Sequence, residues 1–397
     1  MIKIQPYYAH PAHKKIFDRY LYLVSMALPF PPQMVIGDDM LDVDGRQLRA
    51  DTFLNQTGKR PLKRSKAYVE ALSAYGIKYA PRDEAGQFEQ DQLLAARIIQ
   101  ESSPELYAYL FKADNKYAWP LDVPPMKREN VRRLLTVPMN CLDNELKGIG
   151  KIRGKTVKTA GIRDKSEDLL NFVFRYDSFS RRNQTFYLLR DMDVNVCPYC
   201  NRIYTVTVTK KGHKSRPQFD HYRNKSNYPY FALSILNLVP SCSLCNQAKS
   251  SKEEEVMYPY FDEMGTNVMF RAKAEAGLTY LTGCQSAEDE FRIELEVLEG
   301  ISEELRRKVE CSDKVFHLTQ LYNRHKDYVL YLYRKRYIFT DDYLRTICKN
   351  FPDMAGSDKE LKGLLYLMDL DKGQWGRRSL AKLTHDIDQQ ITEGEGN

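Results

Sequence analysis

The sequence predicts an α+β fold, a mostly helical chain with one small embedded module closed by paired cysteines. Three observations carry this. Apolar residues recur at helical spacing through much of residues 1–190 and again from 303 to about 350. Phe291, Ile293, Leu295 and Val297 alternate with charged residues, as a half-buried strand does. Two CxxC pairs, Cys197/Cys200 and Cys242/Cys245, enclose 41 residues that read as neither long helix nor linker.

Taken in order, residues 14–28 have helical apolar spacing and are stopped by Pro29, Pro31 and Pro32. Residues 61–75 read as a helix with Pro61 in its first turn and Gly76 just past its end. Ser103-Pro104-Glu105 is a helix-start signature ahead of Leu106, Leu110 and Phe111, and 127–137 and 180–190 read as short helices. After the module, 263–300 holds a small β excursion. Beyond it a helical face carries Leu318, Leu321, Tyr322, His325, Val329 and Leu332. The regions are therefore 1–140, α-rich and without a motif; 141–190, a basic glycine-containing loop and helices; 191–262, the cysteine-bounded module; 263–300, β; and 301–397, helical with a loose tail from Gly394 to Asn397. No internal repeat is found.

The 397 residues are 43% apolar and 28% charged, which excludes disorder, collagen and coiled coil as the main state. A chain this long can bury cores without covalent staples, so a metal or disulfide needs another reason. The longest early apolar stretch, Leu21–Leu28, is well short of the ~20 residues a membrane span needs. It lies too far from the first residue, beside Asp18 and Arg19, to resemble a secretory signal. The expectation is a cytoplasmic protein without a membrane partner, in which eight cysteines stay reduced and are read for metal or catalysis. Cys141, Cys284, Cys311 and Cys348 are isolated and read as buried thiols. The net charge of +7 suits an anionic partner.

The segment Lys147–Lys165 places seven basic residues, Lys151, Arg153, Lys155 and Lys158 among them, against the single acid Asp164. It lacks the glycine spacing of a phosphate loop, since Ile149 stands where a glycine is needed. Two readings stay open, contact with a polynucleotide backbone and a solvated linker. A second basic cluster, Lys59, Arg60, Lys63, Arg64 and Lys66, reads as a solvated helix face.

Each CxxC turn points two sulfurs to one side, so the two pairs can supply four thiolates to one tetrahedral structural Zn²⁺. The 41-residue insert exceeds the 15–20 of a simple zinc ribbon and must hold structure of its own. Within it stand Asp220-His221, then Asn237 sixteen positions on, then Asn246 after a further nine, directly behind the last cysteine. Oxygen donors of Asp and Asn suit hard cations, and His suits general-base work near neutral pH; a satisfied structural histidine is the competing reading.

These residues, in CPYCN and FDHYRNKSNYPYFALSILNLVPSCSLCNQAKSSK, resemble the HNH endonucleases of ββα-metal fold, in the branch braced by a four-cysteine zinc. The resemblance implies His221 as the base that activates water. It implies Asp220 and Asn246 as ligands of a catalytic Mg²⁺ or Mn²⁺, Asn237 as the residue that orients the histidine loop, and Cys197, Cys200, Cys242 and Cys245 as structural ligands. The flanks, FRYDSFSRRNQTFYLLRDMDVNVCPYCNRIYT and FHLTQLYNRHKDYVLYLYRKR, are similar to HNH proteins of bacterial anti-phage systems of Septu, retron-associated and Zorya type. That implies DNA as substrate and a defence ATPase or sensor as partner. The family's Asp-His-Phe and Pro-Lys-Ser pattern is altered here, with Tyr222 after the histidine and Asn224 at the proline's place.

Arg223, Lys225, Lys249 and Lys252 lie near enough in sequence to grip flanking phosphates, or are surface charges. Tyr228, Tyr230 and Phe231 read as local core more than as base-stacking groups. The expected activity is metal-dependent hydrolysis of DNA, one strand per site. Two alternatives remain, a non-catalytic zinc module that binds nucleic acid, and a scaffold whose helical flanks dock a partner.

Overall fold

A computed structural model describes residues 1–52, 69–70, 73–75, 77, 84–111, 126–141, 149–152, 156–159, 162–210, 213–274, 291–353 and 357–394. The architecture is α+β: helices dominate, and among the described residues the strands form five two-stranded antiparallel sheets. The expected helix at 61–75 lies mostly outside the described residues.

The N-terminal layer begins with α1 (His13–Ala27), which buries Ile16, Tyr20, Leu21, Leu23 and Val24. Leu41–Val43 (β1) and Arg46–Leu48 (β2) follow as a hairpin whose turn puts Asp44 and Gly45 at positive φ. This Asp-Gly turn is a hairpin signal that the helical reading of the first 140 residues passed over. Then come α2 (Glu84–Ser102), α3 (Pro104–Leu110) and α4 (Arg128–Thr136). Ser103 caps α3 as its sequence predicts, its hydroxyl accepting from Leu106 N at 3.2 Å.

Within the basic segment, whose composition suits a loop or a ribbon, β3 (Thr156–Thr159) and β4 (Ile162–Lys165) pair as antiparallel strands. They lead into α5 (Ser166–Phe174), α6 (Tyr176–Ser180) and α7 (Asn183–Met192). The module then supplies β5 (Val208–Lys210) and β6 (His213–Ser215), a second pair β7 (Gln218–His221) and β8 (Leu238–Ser241), and the helix α8 (Ser243–Lys249).

The alternating stretch at 291–297 is strand β10 (Phe291–Val297), paired with β9 (Val268–Ala274). The long helical period after 303 resolves into α9 (Glu303–Phe316), α10 (Leu318–Tyr322), a 3-10 turn at Asn323–His325 and α11 (Lys326–Ile338). His317 at φ 52 breaks the first junction. After α12 (Asp341–Asn350) and α13 (Asp358–Tyr366), α14 (Ala381–Gly394) packs on β9 and α11.

One continuous hydrophobic core runs from Met1 to Ile391 and takes in the module. Tyr20 on α1 places its hydroxyl 2.8 Å from the Leu135 carbonyl and 2.7 Å from that of Leu233. It thereby joins α1, the end of α4 and the loop between β7 and β8. No described helix is long and apolar enough to cross a membrane.

Candidate active site and thiolate cluster

Cys197 and Cys200 sit on a turn closed by Asn201 N donating to the Cys197 carbonyl at 2.8 Å, with Asn201 at φ 49. Cys242 is the N-cap of α8, and its sulfur accepts from Cys245 N at 3.5 Å. All four thiols are buried, with their sulfur atoms within 4.8 Å of one another. Four thiolates at ~2.3 Å from a shared Zn²⁺ would stand ~3.8 Å apart, so the cluster has the composition and compactness of a structural zinc site.

The register of β7 on β8 pairs Asp220 with Val239 and His221 with Leu238. Pro240 is tolerated because a two-stranded sheet leaves one edge of each strand unbonded. Phe219 points inward against Phe179, at 6.3 Å between ring centroids, so the next residue, Asp220, turns to the other side of the strand. Asp220, His221 and Asn246 line one open cleft of about 620 Å³, shared with Tyr176, Arg216, Gln218 and Lys225.

His221 is half-buried. Its Nε2 lies 3.0 Å from the Ala232 carbonyl, and the Tyr176 ring meets the imidazole edge-on at 4.4 Å. In the neutral ring that contact makes Nε2 the donor and leaves the Nδ1 lone pair free to accept a proton. Burial lowers the imidazole pKa to about 3, and the charges of Lys225 and Lys249 push the same way.

Asn237 is fully buried beneath the loop that follows His221. Its Oδ1 accepts from Arg223 N at 2.6 Å, while Nδ2 lies 3.0 Å from both the Arg223 and Phe231 carbonyls. It braces the histidine loop and does not line the cleft. Asn246 faces the cleft and donates through Nδ2 to Gln218 Oε1 at 2.6 Å, which leaves its own Oδ1 as the remaining polar atom.

Asp220 is only 2% exposed and heavily engaged. Oδ2 accepts from the Tyr199 hydroxyl at 2.6 Å, and Oδ1 from Lys249 Nζ at 3.2 Å. Burial pushes the Tyr199 hydroxyl well above its ordinary pKa and keeps it a donor. The same ammonium donates to the His221 carbonyl at 2.7 Å. Lys249, expected as a phosphate-gripping surface charge, is therefore a buried ion-pair partner, because the α8 helix points it back under β7. The oxygen donors of Asp220 and Asn246 fit a hard divalent cation in type, and Lys249 is the charge such an ion competes with.

The remaining basic residues divide. Arg223 and Lys225 are half-buried; Lys225 lines the cleft with its Nζ 4.9 Å over the Tyr176 ring, whereas Arg223 does not line it. Lys151 is exposed and ion-paired with Glu253. Arg153 and Lys155 lie outside the described residues, and of Lys158 only the backbone, on β3, is described. Tyr230 and Phe231 are core, as their spacing predicts, and the Tyr230 hydroxyl donates toward the carbonyls of Ile149 and Gly150. Spacing and residue type alone do not mark Tyr176, Tyr199, Arg216 or Gln218 as site residues. Tyr199, inside CPYC, is the one that its motif could have flagged.

No family model matches the chain, and neither does any curated protein or solved structure.

Proposed function

We propose that this chain is a metal-dependent endonuclease of HNH type that hydrolyses phosphodiester bonds in DNA. The observation that carries the reading is the single cleft where Asp220, His221 and Asn246 converge beside Arg216 and Lys225. The order of elements supports it: an antiparallel pair, β7 and β8, runs straight into α8, whose first turn carries the second cysteine pair.

In this reading a neutral His221, oriented by the Ala232 carbonyl and the Tyr176 ring, takes a proton from the attacking water on Nδ1. General-base assistance contributes about 10²–10⁴ in rate where the pKa of the base lies near the working pH, and an imidazole that burial holds near 3 supplies only part of that. Asn237 holds the loop that fixes the imidazole. Arg216 and Lys225 bind phosphate on either side of the scissile bond. Asp220 and Asn246 would hold a Mg²⁺ or Mn²⁺ ion, which as a Lewis acid polarises the phosphate and stabilises the leaving oxygen. Cys197, Cys200, Cys242 and Cys245 would hold a structural Zn²⁺ that fixes α8 against β7. The likeness of the flanks to anti-phage HNH proteins supports a defence role beside an ATPase or sensor.

The Asp220–Lys249 pair favours a second reading, a nucleic-acid-binding module without hydrolysis, because it neutralises the carboxylate internally. A supercoiled plasmid incubated with Mg²⁺ or Mn²⁺ decides between them. Nicking by the wild-type chain and none by His221→Ala supports the nuclease. Intact plasmid with both proteins, bound in a gel shift, supports the binding module.

A further inference from the structure

Between Val194 and Lys252 the chain carries nine Lys and Arg residues and one acid, Asp220, which Lys249 already pairs. Part of that charge lies on the ribbon formed by β5 and β6, which joins the thiolate cluster to the cleft. Its pattern is inverted. In the approach to β5, Thr205 is buried and bonds inward through its hydroxyl to the Val194 carbonyl at 2.7 Å. Tyr204, Val206 and Val208, one period apart on the opposite face, are 51%, 52% and 45% exposed. A strand usually turns its β-branched and aromatic residues to the core, so an outward apolar stripe needs a partner.

The ribbon is held at both ends. An isolated bridge pairs Tyr204 with Val196, and Cys197 N donates to the Ile203 carbonyl at 2.9 Å. At the other end Arg216 donates to the Ser180 carbonyl at 2.9 Å and lines the cleft. Lys210 and Lys214 are exposed, and Lys214 donates to the amide oxygen of Asn183 at 3.0 Å. No carboxylate among the described residues pairs with Lys210, Lys214 or Arg216.

From this we infer that the β5–β6 ribbon is a duplex-DNA contact arm that leads the substrate into the His221 cleft. The inference rests on the nuclease reading for the purpose of that contact. A two-stranded ribbon fits the major groove, with the lysines reaching the phosphates and the outward Tyr204/Val206/Val208 stripe lying against sugars and base edges.

The test uses full-length, zinc-loaded protein carrying His221→Ala and a labelled DNA duplex of about three helical turns, with binding followed by anisotropy across a salt series. Adding Lys210→Gln and Lys214→Gln should lower the slope of log K against log salt by about two, since each phosphate contact contributes about 0.9. Val206→Ser should weaken binding severalfold at an unchanged slope, with zinc content unchanged in every variant. An unaltered slope in the lysine double variant, or a parent that shows no salt-dependent duplex binding, overturns the arm. Plasmid nicking by the wild-type chain is scored separately, so the arm can fail while the nuclease stands, and the reverse.

Discussion

At the scale of single residues, the site is governed by what burial does to charge. His221 is neutral in the folded chain down to about pH 3, whereas in the unfolded chain an imidazole takes up its proton near pH 6.5. Between those values the unfolded state binds the extra proton. The contribution of His221 to stability is therefore complete above about pH 6.5 and is lost as the pH falls toward 3. Histidine NMR should show no titration of His221 between pH 5 and 8; a midpoint near 6.5 would contradict a base held neutral by its surroundings. Lys249→Met leaves the Asp220 carboxylate buried beside Tyr199 without its cation, and should destabilise the chain by about 3–5 kcal/mol in denaturant titration. Asn237→Ala removes partners from Arg223 N and from two carbonyls, so a loss of about 3 kcal/mol is expected, along with reduced cleavage as the histidine loop loosens.

At the scale of elements, α8 is too short at seven residues to be stable by itself. Its position comes from the sulfur cap at Cys242 and from the cluster it completes. Structural zinc in peptide models contributes about 10–16 kcal/mol of apparent folding free energy. Cys242→Ser should accordingly lose bound zinc, measured by metal analysis, and lower the thermal midpoint. A folded wild-type sample with no zinc would reject the assignment. Basic charge is also an element-scale matter. Lys151 is tied to Glu253, whereas among the described residues no carboxylate pairs with Lys210 or Lys214 of the β5–β6 ribbon.

At the scale of the whole molecule, the module is embedded in the core and does not stand apart from it. Tyr20 of α1 meets the Leu233 carbonyl, Tyr322 of α10 donates to the Cys200 carbonyl at 2.7 Å, and Asn201 accepts from Lys382 N of α14 at 3.0 Å. Asn201 Nδ2 also donates to the Trp375 carbonyl at 2.9 Å. Residues 191–262 expressed alone with zinc should therefore lack a cooperative thermal transition, because Phe219 loses Phe179 of α6 and Tyr199 loses Phe316 of α9. A sharp transition and dispersed NMR spectrum from that fragment would show that it folds independently. Tyr20→Phe in the full chain should cost about 1–3 kcal/mol by leaving a buried carbonyl without a donor.

Much of this was legible in the residues. Cysteine spacing located the thiolate cluster, cap chemistry placed α3 at Ser103, and alternation located β10, because these signals are local and act within a few residues. The order Asp220-His221, Asn237, Asn246 named the residues that gather around β7 and β8, but not their partners. That Lys249 turns inward to Asp220, that Tyr199 caps the same carboxylate, and that Asn237 lies under the loop instead of in the cleft were decided by tertiary structure. So was the outward face of Tyr204, Val206 and Val208. Local sequence sets period and turn, whereas desolvation and strand register, which join residues far apart in the chain, select which charges are buried together and which face solvent.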